Sequence, residues 1–241
     1  MLRHTLVAIS FLTSASALAA DYQCSVNFKD DIIVTPQSVQ VVGANGDMII
    51  TPKGDVTLNG QVLNLNEQQK EKALRYQSVV RNDLPWIKQQ SEQKLANSRQ
   101  SLDKVVIDVI GEDSNVRNRL TKLESDINRQ INQVIETSPE NLTFHHQAIN
   151  KLEAQGKQLM NESLGGMLQD SINEMGRKQL LSGGDAKQSL QGLLGNMGGL
   201  QQELESEWKK QEASFKIFGQ QVCSKAGFIE QQRISLMNSL K

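Results

Sequence analysis

Between Asp30 and Leu65 apolar and polar residues alternate with a period of two. After Asn66 the apolar residues recur every three or four positions. The first pattern belongs to half-buried strands and the second to amphipathic helices. "DIIVTPQSVQVV" ends at Gly43 and "GANGD" reads as a turn. "MIIT", "VTL" and "QVL" follow as short strands, separated by "PKGD" and by Asn59-Gly60. An Asn-Gly pair between alternating runs is a strong two-residue hairpin signal, because both central residues need positive φ. The expectation is a meander of four short strands, which has too little face to be stable alone and needs helices as a cover.

Asn66 with Gln69 three residues on is a capping-box pattern, so a first helix is expected from Glu67 to Arg81. "NDLP" interrupts it, and Pro85 suits the first turn of a second helix that ends at Ile110, before Gly111. Asp113 or Ser114 caps a third, to Thr137, whose Val116, Leu120, Leu123, Ile127, Ile131 and Val134 form one apolar stripe. "SPEN" (138–141) reads as a helix–helix turn. A fourth helix carries Leu152, Leu159, Leu164, Leu168, Ile172 and Met175 and stops near Gly176. The next stretch, "LLSGGDAKQSLQGLLGNMGGL" (180–200), holds six glycines, each costing roughly 1 kcal/mol in a helix. A flexible connection is expected there, with a short helical turn around Leu190–Leu194. The last helix then starts near Leu200 and runs through Trp208, Phe215, Phe218 and Val222, with Gly219 and Gly227 as places to bend or break; the aromatic run Trp208, Phe215, Phe218 and Phe228 reads as core contacts of this helix, with a ligand groove as the alternative. The predicted fold is α+β and mostly α: a small N-terminal antiparallel β-meander (21–65) packed on long antiparallel helices (66–241).

Composition sharpens this picture. Aromatic residues are only 4% of the 241, while Gln and Asn number 27 and 17, which suits long thin helices better than a thick globule. The net charge of −1 provides no basic field for nucleic acid. "MLRHTLVAISFLTSASALAA" (1–20) has a short positive start, an apolar run from Leu6 to Leu12 and small residues at Ala17 and Ala19. That is the build of a secretory signal peptide cleaved after Ala19 or Ala20, with an apolar run too short to span a bilayer. The two cysteines, Cys24 and Cys223, then read as a disulfide in an oxidising compartment. Closing so long a loop contributes roughly 5 kcal/mol in the chain-entropy model.

Several segments in order, "ADYQCSV", "TPQSVQV", "NDLPWI", "RLTKLES", "VIETSPENLTFHH", "LQDSINEMG", "EWKKQE" and "FGQQVCS", resemble the YggN-like family of uncharacterised Gram-negative periplasmic proteins over the whole chain after the leader. The resemblance implies a periplasmic address and carries over no activity and no catalytic residue.

The chain's own chemistry is sparse. His145 and His146 are adjacent, diverge by about 100° on a helix and so do not chelate one ion together; an exposed pair in the first turn of a helix is expected. There is no His-Glu-x-x-His, no Gly-x-Ser-x-Gly and no phosphate-binding loop. The paired carboxylates Asp30-Asp31 and Glu112-Asp113 read as caps and turns. No catalytic, metal or cofactor set is predicted. The apolar Gly-rich stretch reads either as a loop that folds back and packs on the bundle or, as the sharper candidate, as a contact segment, with Leu190, Leu193, Leu194, Met197 and Leu200 as contact positions for an envelope protein or a membrane surface. Leftover apolar stripes also suit pairing of two copies as in a coiled coil. These features favour a periplasmic binding protein, an envelope scaffold or chaperone-like factor. A small-molecule carrier or an enzyme on a cell-wall component built from unremarkable residues are the alternatives.

Overall fold

The structure, a computed structural model, describes residues 24, 26–44, 46–181 and 186–240. The leader reading of 1–20 lies outside them. The alternating N-terminal run folds into β1 (Asp30–Val34), β2 (Val39–Gly43), β3 (Met48–Ile50), β4 (Val56–Leu58) and β5 (Gln61–Val62). The run read as one long strand is thus two. Pro36 has no N–H for a sheet ladder and suits the second position of a turn. Thr35 closes that turn: its N–H donates to the Ser38 carbonyl (2.9 Å), and its Oγ1 accepts from the Ser38 N–H (3.0 Å). Asn59 and Gly60 take φ of 51° and 79°, the positive values expected of the hairpin.

Asn66 caps α1 (Glu67–Val109) with both halves of the capping box formed. Here two expected helices are one: Pro85 lies inside α1. Leu84 and Val80 on one side of it are buried, and burying this continuous face outweighs the one backbone bond that proline removes. Gly111, at φ 117°, ends the helix, and its N–H donates to the Val106 carbonyl. Ser114 caps α2 (Asn115–Val134). "SPEN" joins two strands, β6 (Ile135–Thr137) and β7 (Leu142–Phe144), where the sequence predicts a link between helices. β-branched Ile135, Thr137 and Thr143 favour strand, and β1 offers β7 an open edge.

Helix α3 (His146–Leu181) runs past Gly176, and α4 (Ala186–Ser239) begins well before Leu200. Residues 186–200, predicted as a connection, are helical along the backbone. Their apolar positions recur at intervals of three and four, which supports a helix despite the glycines. Gly219 and Gly227 do not interrupt α4.

All seven strands form one antiparallel sheet in the order β5-β4-β3-β2-β1-β7-β6. The register lines Ile135, Phe144, Ile32, Val41 and Met48 in one row of its inner face. Val39, Ile50 and Val56 lie in the next. Ala73, Tyr76, Val80 and Leu84 of α1 and Ile229 and Leu236 of α4 complete this core. A second core joins α1, α2 and α3 through Val106, Ile110, Val116, Leu120, Leu123 and Met167. Cys24 and Cys223 form the expected disulfide, with Cα atoms 5.6 Å apart. Of the aromatic run, Phe218 is buried beside Trp86, ring centroids 6.2 Å apart. Phe215 and Phe228 are exposed, contrary to the expectation of core contacts. The side chain of Trp208 lies outside the described residues.

Candidate functional site

Four polar contacts set the register of α1 against α4: Gln69 with Ser239, Asp83 with Lys225, Lys94 with Ser214 and Ser98 with Gln211. The helices are therefore antiparallel. Eleven residues on from Ser98 and eleven back from Gln211 bring Val109, the end of α1, level with Leu200. Helix α4 starts at Ala186, so its first 14 residues, about 21 Å of helix, lie beyond the end of α1. Helix α3 outruns the same turn. Ser114 donates to Glu174 (2.6 Å), and the Asn115 N–H donates to the other oxygen of that carboxylate (2.6 Å). The start of α2 is thus level with Glu174, and α3 continues seven residues to Leu181, about 10 Å. Among the described residues, α3 and α4 form the tip in which the bundle ends. Leu190, Leu193, Leu194 and Met197 lie in this stretch and Leu200 stands at its base, level with Val109; their spacing places all five on one helix face. Their side chains lie outside the described residues.

A second cluster stands where the sheet meets α3, and sequence reasoning missed it. Asp31 is on the outer face of β1, and Glu136 is on the same face of β6. Between them His145 sets Nδ1 3.3 Å from Asp31 Oδ2 and Nε2 3.3 Å from Glu136 Oε2. His146, the first residue of α3, donates its backbone N–H to Asp31 Oδ1 (2.9 Å) and places Nδ1 2.5 Å from the same oxygen. A strand carboxylate thereby caps a helix N-terminus from outside the helix, where negative charge is favoured. Burial opposes the Asp31 charge. Hydrogen bonds from the His146 side chain and backbone and from His145 outweigh it and hold the carboxyl below its ordinary value. The histidines are consequently a clasp between sheet and α3, not the exposed pair expected. Among the described residues no group of three or more His, Cys, Asp or Glu is arranged to hold a metal ion.

Asp30 and Asp31, read as turn residues, point to opposite faces because they are neighbours on a strand. Asp30 is buried on the inner side, 3.2 Å from Arg233 of α4, whose guanidinium is bidentate to Glu230 at 2.8 and 2.7 Å. Tyr76 is fully buried nearby. Burial pushes its hydroxyl well above its ordinary value, with the Arg233 charge pulling the other way. This network locks the end of α4 to the start of the sheet.

Every described carboxylate with a displaced pKa is displaced downward: Asp31, Asp103 beside Arg117, Asp126 beside Lys122 and Asp170 beside Arg119. Those partners hold the groups ionised, whereas a general acid needs the opposite shift. Two grooves on the described surface, about 330 and 370 Å³, are open and polar. Their arginines at 99 and 117 are engaged by Asp103 and their Lys122 by Asp126.

These features define an α+β protein whose sheet anchors a four-helix bundle with a projecting two-helix tip. The chain belongs to the family described as "Protein of unknown function (DUF2884)", whose model matches residues 24–241. It is similar to "Uncharacterized protein YggN" of Escherichia coli strains K12, O6:H1 and O157:H7. Each is 47% identical over 242 residues, with all of both chains covered. No solved structure matches.

Proposed function

We propose that the protein is exported to the periplasm through a cleaved leader at residues 1–20 and acts there by binding, as an envelope-associated scaffold or chaperone-like factor. The α3–α4 tip is its contact surface. The observation that carries this reading is the overhang: α3 and α4 continue past the end of α1 and the start of α2, with four large apolar positions on one face of α4 and a fifth, Leu200, at its base. A helix segment of this composition without a neighbouring helix on the α1 side is the kind of surface that marks an interaction site. The Cys24–Cys223 disulfide suits an oxidising compartment, and the family resemblance supports the same address.

The test is crosslinking in intact cells with a photo-reactive residue at Leu193 or Met197 and, as a control, at Thr121 in the α2 groove. The expected result is a discrete adduct, to protein or to lipid, at the tip positions and none at Thr121. Bare protein at both tip positions, with the chain recovered from a periplasmic extract, overturns the reading. Recovery in the cytosol overturns the address.

A further inference from the structure

The tip differs in charge from the rest of the molecule. Between residues 177 and 200 the chain carries Arg177, Lys178 and Lys187 against a single acid, Asp185, a local net charge of +2. The whole chain is −1, so everything else sums to −3. Arg177 is exposed on α3, in the segment that passes the α1–α2 turn. The same short stretch therefore joins cationic positions on both helices to the apolar face of Leu190, Leu193, Leu194, Met197 and Leu200. No described helix is long and apolar enough to cross a membrane. A basic, apolar helix end too polar to span a bilayer matches a surface that is anionic outside and hydrocarbon beneath.

We infer that the α3–α4 tip docks on an anionic lipid bilayer surface, through its apolar positions at 190, 193, 194, 197 and 200 and its basic positions at 177, 178 and 187. This inference rests on the binding role proposed above and names its occupant. The apolar face supplies the interfacial burial, and the three cations supply attraction to phosphate-bearing headgroups. Each charge strengthens binding about fivefold at low salt. The contact is peripheral and salt-sensitive, because exposed charges are screened over about 10 Å at 0.1 M.

The experiment is flotation of the full protein, purified from a periplasmic extract, with vesicles of 3:1 phosphatidylethanolamine and phosphatidylglycerol, and with vesicles of phosphatidylcholine alone. The expected result is co-flotation with the anionic vesicles only, falling as salt rises from about 50 to 500 mM. K178Q/K187Q should weaken it about 25-fold, and L193E at least tenfold. The control K122Q/K210Q changes two cations that are 76% and 71% exposed elsewhere on the surface, and it should float like the parent. Circular-dichroism melts matching the parent show that the tip variants fold. No flotation, equal flotation on phosphatidylcholine, or equal loss in the control and tip variants overturns the inference. Capture of a protein at Leu193 in cells together with no flotation overturns the lipid occupant and leaves the binding role standing.

Discussion

Leu236 is the residue on which the seal between α4 and the sheet can be measured. It has no exposed surface and lies in the core built by Ile32, Val39, Ile50 and Val56 of the sheet with Ala73 and Tyr76 of α1. Leu236→Ala removes buried methyl groups and leaves a void between three elements that cannot all close on it. Such truncations cost about 3 kcal/mol, within a range of about 2 to 5. For a chain of this length that lowers Tm by about 6–12 °C. Urea unfolding followed by circular dichroism reads the difference directly, and the dependence on urea should keep its slope, since the surface exposed on unfolding is nearly the same. Val62→Ala, on an edge strand and 78% exposed, is the reference and should stay within about 0.5 kcal/mol. A cost below about 1 kcal/mol for Leu236→Ala, with an unchanged slope, would refute the claim that the end of α4 closes the sheet core.

Reducing the Cys24–Cys223 bridge, whose ends are 199 residues apart, should cost about 2–5 kcal/mol, read as a shift of the urea midpoint on adding dithiothreitol; an unmoved midpoint contradicts the prediction. The folded Asp31 carboxyl titrates below its unfolded value of 3.8, so its contribution is present above that pH and is lost as pH falls through the lower folded value. Asp31→Asn should therefore be less stable than the parent at pH 7, with the two curves converging as the pH falls through that lower value; a constant gap throughout the acid range would show that the effect is not ionic. Gly43→Ala and Gly166→Ala should differ sharply in thermal melts. A Cβ at Gly43 would meet the buried Asp30 carboxylate at 1.8 Å, whereas one at Gly166 would meet the end of the flexible Arg119 side chain at 2.4 Å. The first should cost several kcal/mol and the second about 1 kcal/mol or less.

Local signals in the sequence were read where the local chemistry decides the outcome. The Asn59-Gly60 turn, the Asn66–Gln69 cap, the Gly111 stop and the helical stripe from Val116 to Ile127 all act within a few residues, and each stands in the structure. The misses lie where distant packing overrides a local rule. Pro85 interrupts no helix because α1 buries residues on both sides of it against the sheet and α4. "SPEN" turns a hairpin because β7 finds the edge of β1 more than a hundred residues earlier, a pairing that no period reveals. The clasp of Asp31, Glu136, His145 and His146 depends on that same pairing, so its members are scattered in sequence and look like turn and cap residues one at a time. One signal was available: strand alternation places Asp30 and Asp31 on opposite faces and gives them different partners. The tip was legible as an unusual composition, but its position became apparent only from the register of α1 against α4.

Amide hydrogen exchange, with and without purified envelope membranes, tests most directly whether the projecting end of the bundle does the binding. Peptides covering residues 186–200 should gain protection when membranes are added, while those covering the sheet and the first half of α1 exchange as before. Protection that appears on the sheet or in the α2 groove, or nowhere at all, would contradict the account.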